Sequence, residues 1–181
     1  MTYFNRQKIN YVVIGFIVLF GSLIAIERGS NFSDSDAPSV ILTFLDFIDT
    51  GTYSASRNAY GHPIPEFLIG FIAYIFGTPY SNLFCFNCFL LSNIFFYKTF
   101  INKNDNLHLY LLVVCSNFYL LFENTNSIDY PLALLFFSCG LFLLKRNYTY
   151  YAAIIFSLCI GSRANFCLFI YPIIIIYFYQ D

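Results

Sequence analysis

Long apolar runs, broken only by short polar stretches, are the feature that most constrains how this chain can fold. An ordinary soluble domain carries about 25% charged residues, whereas this chain has 10% charged and 59% hydrophobic residues. A soluble core of 181 residues could not bury so much apolar surface, because surface area is large relative to volume at this size. A bilayer removes the difficulty by acting as the apolar solvent. The sequence therefore predicts an all-α, polytopic transmembrane bundle.

The apolar runs divide into about six spans. They cover residues 11–26, 83–100, 107–122, 130–144 and 150–179. Residues 161–165 interrupt the last run, which therefore splits into spans 148–160 and 166–179. Residues 64–76 are also apolar but are shorter than the roughly 20 residues that a spanning helix needs, so they are expected to lie at the interface. Residues 1–181 are predicted to form one domain, with juxtamembrane helices in an outer loop over 27–80.

The positive charges favour one orientation of these spans, because Lys and Arg collect on cytoplasmic loops. With a cytoplasmic N-terminus, six of nine positive charges face the cytoplasm and eight of ten acids face outward. The six are Arg6, Lys8, Lys98, Lys103, Lys145 and Arg146. The chain is therefore expected in a plasma or inner membrane with its N-terminus in the cytoplasm. A net charge of −1 argues against a nucleic-acid partner.

Six cysteines all lie inside apolar runs. Cys85 and Cys88 have the spacing of a metal or redox pair, but their neighbours are phenylalanines rather than the polar groups such a site needs. We interpret the cysteines as small buried hydrophobic residues. No set of metal ligands is predicted, although a divalent metal ion stays open as a cofactor.

The outer loop holds the densest group of polar candidates. If residues 42–60 form one helix, two carboxylates, a phenol and a guanidinium lie on one stripe, at Asp46, Asp49, Tyr53 and Arg57. The opposite face carries Leu45, Ile48 and Thr52, so the helix could lie on the membrane with its apolar face down. The simpler alternative is an amphipathic helix whose polar face is merely solvated.

A turn with two prolines follows this stripe. Pro63 and Pro65 set the start of the short apolar segment, with His62 before it and Glu66 in its first turn. His62 could titrate near neutral pH, and Glu66 could line a site. In the alternative reading Glu66 complements the helix dipole and His62 is only solvated.

Arg163 is the most informative single residue, because it interrupts an apolar run of about thirty residues. A guanidinium at the membrane edge can hold a phosphate through two hydrogen bonds. It could equally reach toward lipid headgroups in a structural role. Asp129 opens the fourth span, either as a site residue or as an N-cap.

Four motifs, in this order, resemble the N-terminal half of the GT-C glycosyltransferases, which include the protein O-mannosyltransferases and the lipid A aminoarabinose transferases. The first motif is an acid with a downstream tyrosine, and the second is a His-Pro turn leading to a short helix that ends in Phe-Gly. The third is an Asp-x-Pro-Leu-Ala helix start, and the fourth is a Gly-x-Arg turn between spans. They correspond to residues 49–53, 62–77, 129–133 and 161–165.

This resemblance implies an enzyme that takes a sugar from a polyprenyl-phosphate carrier. It implies a catalytic carboxylate at Asp49, with Asp46 as a second candidate, and phosphate binding by Arg163, assisted by Arg57 or His62. Asp129, Tyr53 and Glu66 are then expected to line the outer cavity. Thr50 stands where many members have a second acid. Because the chain ends at Asp181 and family members are longer, a C-terminal half or a partner subunit is expected to be missing.

The competing class is a non-enzymatic membrane protein, such as a transporter or flippase-like module or an assembly partner. Transporters concentrate ionisable groups near the middle of the membrane, whereas the acids here cluster at the predicted outer edge. That distribution favours a reaction at the interface. The sequence does not distinguish which sugar or acceptor would take part.

Overall fold

The computed structural model describes residues 3–30, 36–54, 62–101 and 106–179. All regular secondary structure in these residues is helical, which confirms the all-α prediction. A 3₁₀ turn, Ala164–Phe166, precedes the last helix. The helices are α1 Tyr3–Ser30, α2 Asp36–Thr50, α3 Pro63–Phe76, α4 Thr78–Phe100, α5 Leu107–Ser116, α6 Phe118–Glu123, α7 Asp129–Lys145, α8 Thr149–Ser162 and α9 Cys167–Tyr179.

Two of these helices are long and apolar enough to cross a membrane. They are the segment Asn10–Gly29 of α1 and the whole of α4, Thr78–Phe100. The apolar helices α3, α5 and α8 have 10–14 residues each, below the length of a typical span. Length and composition therefore associate the chain with a membrane through α1 and α4.

Several predicted boundaries were wrong, for local reasons. The Gly, Ser, Asp and Pro content of residues 29–38 predicts a loop there, but α1 extends to Ser30 and α2 already begins at Asp36. The predicted span 83–100 begins five residues sooner, at Thr78, where Pro79 occupies the first turn that tolerates proline. The predicted span 107–122 breaks at Asn117, whose side-chain oxygen accepts a hydrogen bond from Leu120 N at 3.2 Å and so caps a new helix.

Residues 42–50 are helical, but the single helix considered over 42–60 does not form, because α2 ends at Thr50. The Thr50 hydroxyl donates to the backbone oxygen of Asp46 at 2.7 Å. Gly51 then adopts a left-handed φ of 70°, which is incompatible with a further right-handed helical turn. Asp46 and Asp49 therefore share α2, whereas Tyr53 leaves the stripe. Arg57 lies outside the described residues.

Helix α2 is not a free helix on a surface, because it packs on α3. Val40 and Phe44 on its inner face are buried, and the Phe44 ring meets Phe67 edge-on at 5.9 Å. On the predicted apolar face, Ile48 is half exposed. The packing on α3 thus uses a different face from the one that the sequence predicted.

Helix α4 is the centre of the fold. It contacts α1, α3, α5 and α7, and its buried side chains cover most of its circumference, whereas Tyr80, Asn87, Leu91 and Lys98 form one exposed stripe. Phe86 is fully buried and occupies the space that a side chain on Gly21 of α1 would need. On another face Cys85 packs with Val40 and Ile69.

The long helices run back and forth between two ends of the bundle. At the first end Thr78 Oγ1 donates to Gly29 O at 2.5 Å, and Arg163 meets Asp129. We call this the acidic end, since it holds Glu66, Glu123 and Asp129. At the opposite end Lys145 Nζ donates to Thr99 O, and Tyr177 Oη donates to Asn147 at 3.1 Å. We call that the basic end, defined by Lys98, Lys145 and Arg146.

Helix α3 does not run between the two ends. It begins after His62, which lies beside Asp129, and it stops at Gly77, directly before the start of α4. Both of its termini are therefore at the acidic end. Gly77 makes this possible, because its φ of 92° lets the chain reverse into α4 without the clash that a side chain would cause.

Phe86→Ala should lower the free energy of unfolding by about 3 kcal/mol, because it leaves a cavity between α1 and α4 that neither helix can close. Phe100→Ala is the matched control, since it removes the same side chain from the exposed end of the same helix. Unfolding of both variants in detergent measures the difference. Equal losses would contradict the central position of α4.

Candidate functional site

Arg163 and Asp129 form an ion pair at the acidic end. Helix α8 ends at Ser162, and Arg163 takes an extended conformation before the 3₁₀ turn, so its side chain reaches back toward α7. Asp129 is the first residue of α7 and is completely buried. Arg163 Nη1 lies 2.5 Å from Asp129 Oδ2. The pair offsets the large desolvation cost of a buried carboxylate.

The guanidinium of Arg163 also stacks on Tyr130. Its carbon lies 3.3 Å from the centre of the ring, and its Nη2 donates to the tyrosine hydroxyl. Asp129 and Tyr130 are consecutive residues of α7, so a single turn of one helix holds the arginine from two sides. A rigidly held guanidinium keeps a planar fork of donors in one orientation.

His62 completes this group. Its Nε2 lies 4.0 Å from Asp129 Oδ2, the same oxygen that Arg163 contacts. Its side chain is only 17% exposed, so the interpretation of a merely solvated loop histidine is wrong. We call His62, Asp129, Tyr130 and Arg163 the Arg163 cluster. The structure thus brings together three of the residues that the sequence predicted for the site.

Tyr53 and Glu66 form a second pair next to this cluster. Glu66 lies in the first turn of α3 and is buried, and the Tyr53 hydroxyl donates to its Oε2. Burial, and then this hydrogen bond, raise the pKa of Tyr53 above its usual range. The hydroxyl is therefore the donor of this hydrogen bond at neutral pH.

A buried polar segment beside the cluster escaped the sequence-based reasoning. Residues 124–127 form no regular helix, yet all four are buried. Ser127 donates to Asn82 at 2.5 Å and lies 2.6 Å from the Ser81 hydroxyl, and Arg28 donates to Thr125 at 3.2 Å. The sequence feature that could have pointed to this segment is four consecutive polar residues, Asn-Thr-Asn-Ser, between apolar runs.

A cavity of about 390 Å³ opens next to the Arg163 cluster. Its walls are mainly apolar, with one carboxylate and one amide among them. The lining residues are Tyr119, Leu120, Glu123, Asn124, Ile128, Tyr130, Leu134 and Phe166. Tyr130 belongs both to this wall and to the Arg163 cluster. A concave, largely apolar space with few polar groups is typical of small-molecule sites.

The carboxylates predicted to be catalytic lie elsewhere. Asp46 and Asp49 are exposed on the last two turns of α2. Among the described residues, no contact joins either of them to the Arg163 cluster. Asp49 therefore stays a prediction, and Glu123 is the carboxylate that lines the cavity.

Asp129 does not cap α7. The N-cap position belongs to Ile128, and the Asp129 carboxylate binds Arg163 instead. The fully buried Asp129 is also not among the residues that line the cavity, and neither are Tyr53 and Glu66, so its predicted place in the site stays a prediction. A cap needs only the local backbone, whereas this contact depends on a residue 34 positions away.

Among the described residues, no group of three or more His, Cys, Asp or Glu side chains is arranged to hold a metal ion. Comparison with protein-family models, with curated proteins and with solved structures gives no match to this chain. The chemistry of the site therefore follows from its geometry alone. A guanidinium and an imidazole beside an apolar cavity suit an anionic group attached to an apolar body.

A double-mutant cycle of Asp129→Asn and Arg163→Gln should give a coupling energy of about 1–3 kcal/mol for unfolding. Each single change leaves a poorly solvated charge behind, whereas the double change removes both. Asp46→Asn combined with Arg163→Gln is the control, expected to be additive within about 0.5 kcal/mol. Additive behaviour of the first pair would show that the ion pair does not stabilise the fold.

Proposed function

We propose that the chain is a polytopic membrane protein with six helical passes and a cytoplasmic N-terminus. The passes are α1, α4, α5 with α6, α7, α8 and α9, which alternate in direction between the two ends. The separation of charge supports this orientation, since Lys98, Lys145 and Arg146 gather at the basic end. The acidic end then faces outward, with α2 and α3 across it.

We further propose that the acidic end is the donor site of a sugar transferase, or of one part of such an enzyme. The observation that carries this proposal is the position of Arg163, held by Asp129 and by Tyr130, whose side chain lines the apolar cavity. A polyprenyl phosphate has the matching chemistry, with an anionic head on an apolar chain. The order of the four sequence motifs adds the resemblance to the GT-C glycosyltransferases.

In the proposed reaction an acceptor hydroxyl attacks the anomeric carbon of the sugar. The bond from that carbon to the phosphate oxygen breaks, and its electron pair leaves with the polyprenyl phosphate. Arg163, assisted by His62, offsets the charge that develops on the phosphate. A carboxylate accepts the hydroxyl proton, and Asp49 is the residue that the sequence motif assigns to this role.

A specific observation favours the non-enzymatic alternative. Arg163 already has an internal carboxylate and an aromatic ring as partners. Such contacts also suit an arginine that only joins α8 to α7, as in a transporter module or an assembly partner. A donor-binding Arg163 and a purely structural Arg163 differ in whether replacing the arginine weakens donor binding, and the second experiment below measures that.

The orientation is tested by labelling single cysteines in a variant whose six native cysteines are replaced by serine. Thr52→Cys at the acidic end should react with a membrane-impermeant maleimide on intact cells. Tyr148→Cys, exposed at the basic end, should react only after permeabilisation. Reaction of Tyr148→Cys on intact cells would exclude the proposed orientation.

The donor site is tested by binding of a short-chain polyprenyl-phosphate hexose to the purified chain. Arg163→Lys should weaken binding about tenfold, because an ammonium keeps the charge but loses the bidentate geometry. Arg146→Lys is the matched control, since Arg146 also lies over an aromatic ring, Phe142, but at the basic end. Equal affinities of both variants and the unchanged chain would favour the non-enzymatic alternative.

The two candidate bases are separated by Asp49→Asn and Glu123→Gln, assayed for sugar transfer in the membrane-embedded protein with any partner subunit present. Loss of general-base catalysis lowers the rate by about 100-fold or more. The proposal expects this loss for Asp49→Asn, with donor binding unchanged. A loss of activity confined to Glu123→Gln would indicate that Glu123, on the cavity wall, is the proton acceptor instead of Asp49.

A further inference from the structure

A second cavity lies at the basic end, far from the Arg163 cluster. It is a groove of about 440 Å³ between α9 and the paired C-terminal ends of α4 and α7. Its deeper part is lined by apolar side chains, among them Leu141, Ile173 and Ile176. Lys145, Thr99 and Tyr177 add polar groups to the same wall. The groove thus combines an apolar body with a polar, cationic edge.

The polar edge is held in position by contacts between helices. Lys145 Nζ donates to Thr99 O at the C-terminal end of α4, which fixes the ammonium between α4 and α7. Tyr177 Oη donates to Asn147 Oδ1 at 3.1 Å, which ties α9 to the turn between α7 and α8. Asn147 itself has a left-handed φ of 61°, as is common for asparagine in a tight turn. The groove is therefore a built feature of the fold.

The charge around the groove is positive. Three cationic side chains of the described residues lie at this end, Lys98, Lys145 and Arg146. The Arg146 guanidinium lies 4.7 Å from the Phe142 ring centre. In the proposed orientation the sequence assigns six Lys and Arg residues to this side and only two acids, Asp105 and Asp181. An anionic occupant is therefore favoured over a neutral or cationic one.

We propose that this groove binds one anionic phospholipid of the cytoplasmic leaflet. The phosphate pairs with Lys145 at the rim, and one acyl chain lies along Leu141, Ile173 and Ile176. The inference needs the membrane insertion proposed above, but it does not depend on sugar transfer. It assigns a role to the basic end, which the proposed reaction does not use.

The size of the groove argues against a partner helix as its occupant. A helix about 10 Å in diameter fills roughly 420 Å³ in each 5.4 Å turn. The groove could therefore accept only about one helical turn. A single acyl chain is much thinner and can follow the apolar wall along its length.

Native mass spectrometry of the purified chain with dioleoyl-phosphatidylglycerol and dioleoyl-phosphatidylcholine tests the proposal. The two lipids share acyl chains and differ in net charge. One phosphatidylglycerol should bind about tenfold more tightly than phosphatidylcholine, and Lys145→Gln should abolish that preference. Ile173→Trp, which fills the apolar part of the groove, should weaken the binding of both lipids.

Lys98→Gln is the matched control, because Lys98 is an exposed lysine of the same end that does not line the groove. It should leave the preference unchanged. Equal binding of the two lipids would overturn the proposal, and so would equal losses from Lys98→Gln and Lys145→Gln, since they would indicate diffuse attraction. These outcomes are independent of the donor-binding assay, so the two proposals can fail separately.

Discussion

The packing of α4 against several helices at once is the constraint on which the rest of this structure depends. The helix contributes Phe86 and Phe89 to the cluster with α1, α5 and α6, and Cys85 to the cluster with α2 and α3. Its Phe96 packs against the third cluster, which joins α7, α8 and α9. The neighbouring helices therefore all pack on one common partner, and the absence of a side chain at Gly21 lets α1 lie close to Phe86 of α4.

The two ends of the bundle carry different chemistry as a consequence. At the acidic end, polar groups are buried and satisfy one another, as in the contacts of Ser127 with Ser81 and Asn82. Buried polar groups without partners would be costly, and these networks remove that cost. The same end places Arg163 against Tyr130, which lines an apolar cavity. The basic end has exposed cations and a groove instead, which suits contact with headgroups rather than chemistry.

Residues of the candidate site were found from the sequence where a charge interrupts an apolar run. Arg163 and Asp129 stood out for that reason, because such a charge is expensive unless it has a partner. His62 stood out through its proline turn. The sequence could not predict that Asp129 and Arg163 pair with each other, since they are 34 positions apart. Glu123 and the buried segment 124–127 were missed, because polar residues next to a predicted span look like an ordinary loop.

Composition and hydropathy by themselves determined that the chain is helical and apolar, because these properties sum over single residues. They also indicated the break at Arg163, the proline turn before α3 and the separation of charge along the chain. Only the tertiary structure decided that α2 packs on α3, that Tyr53 turns to Glu66, and that Arg163 lies between Asp129 and Tyr130. These features depend on contacts between distant segments, and no local pattern specifies which segments will meet.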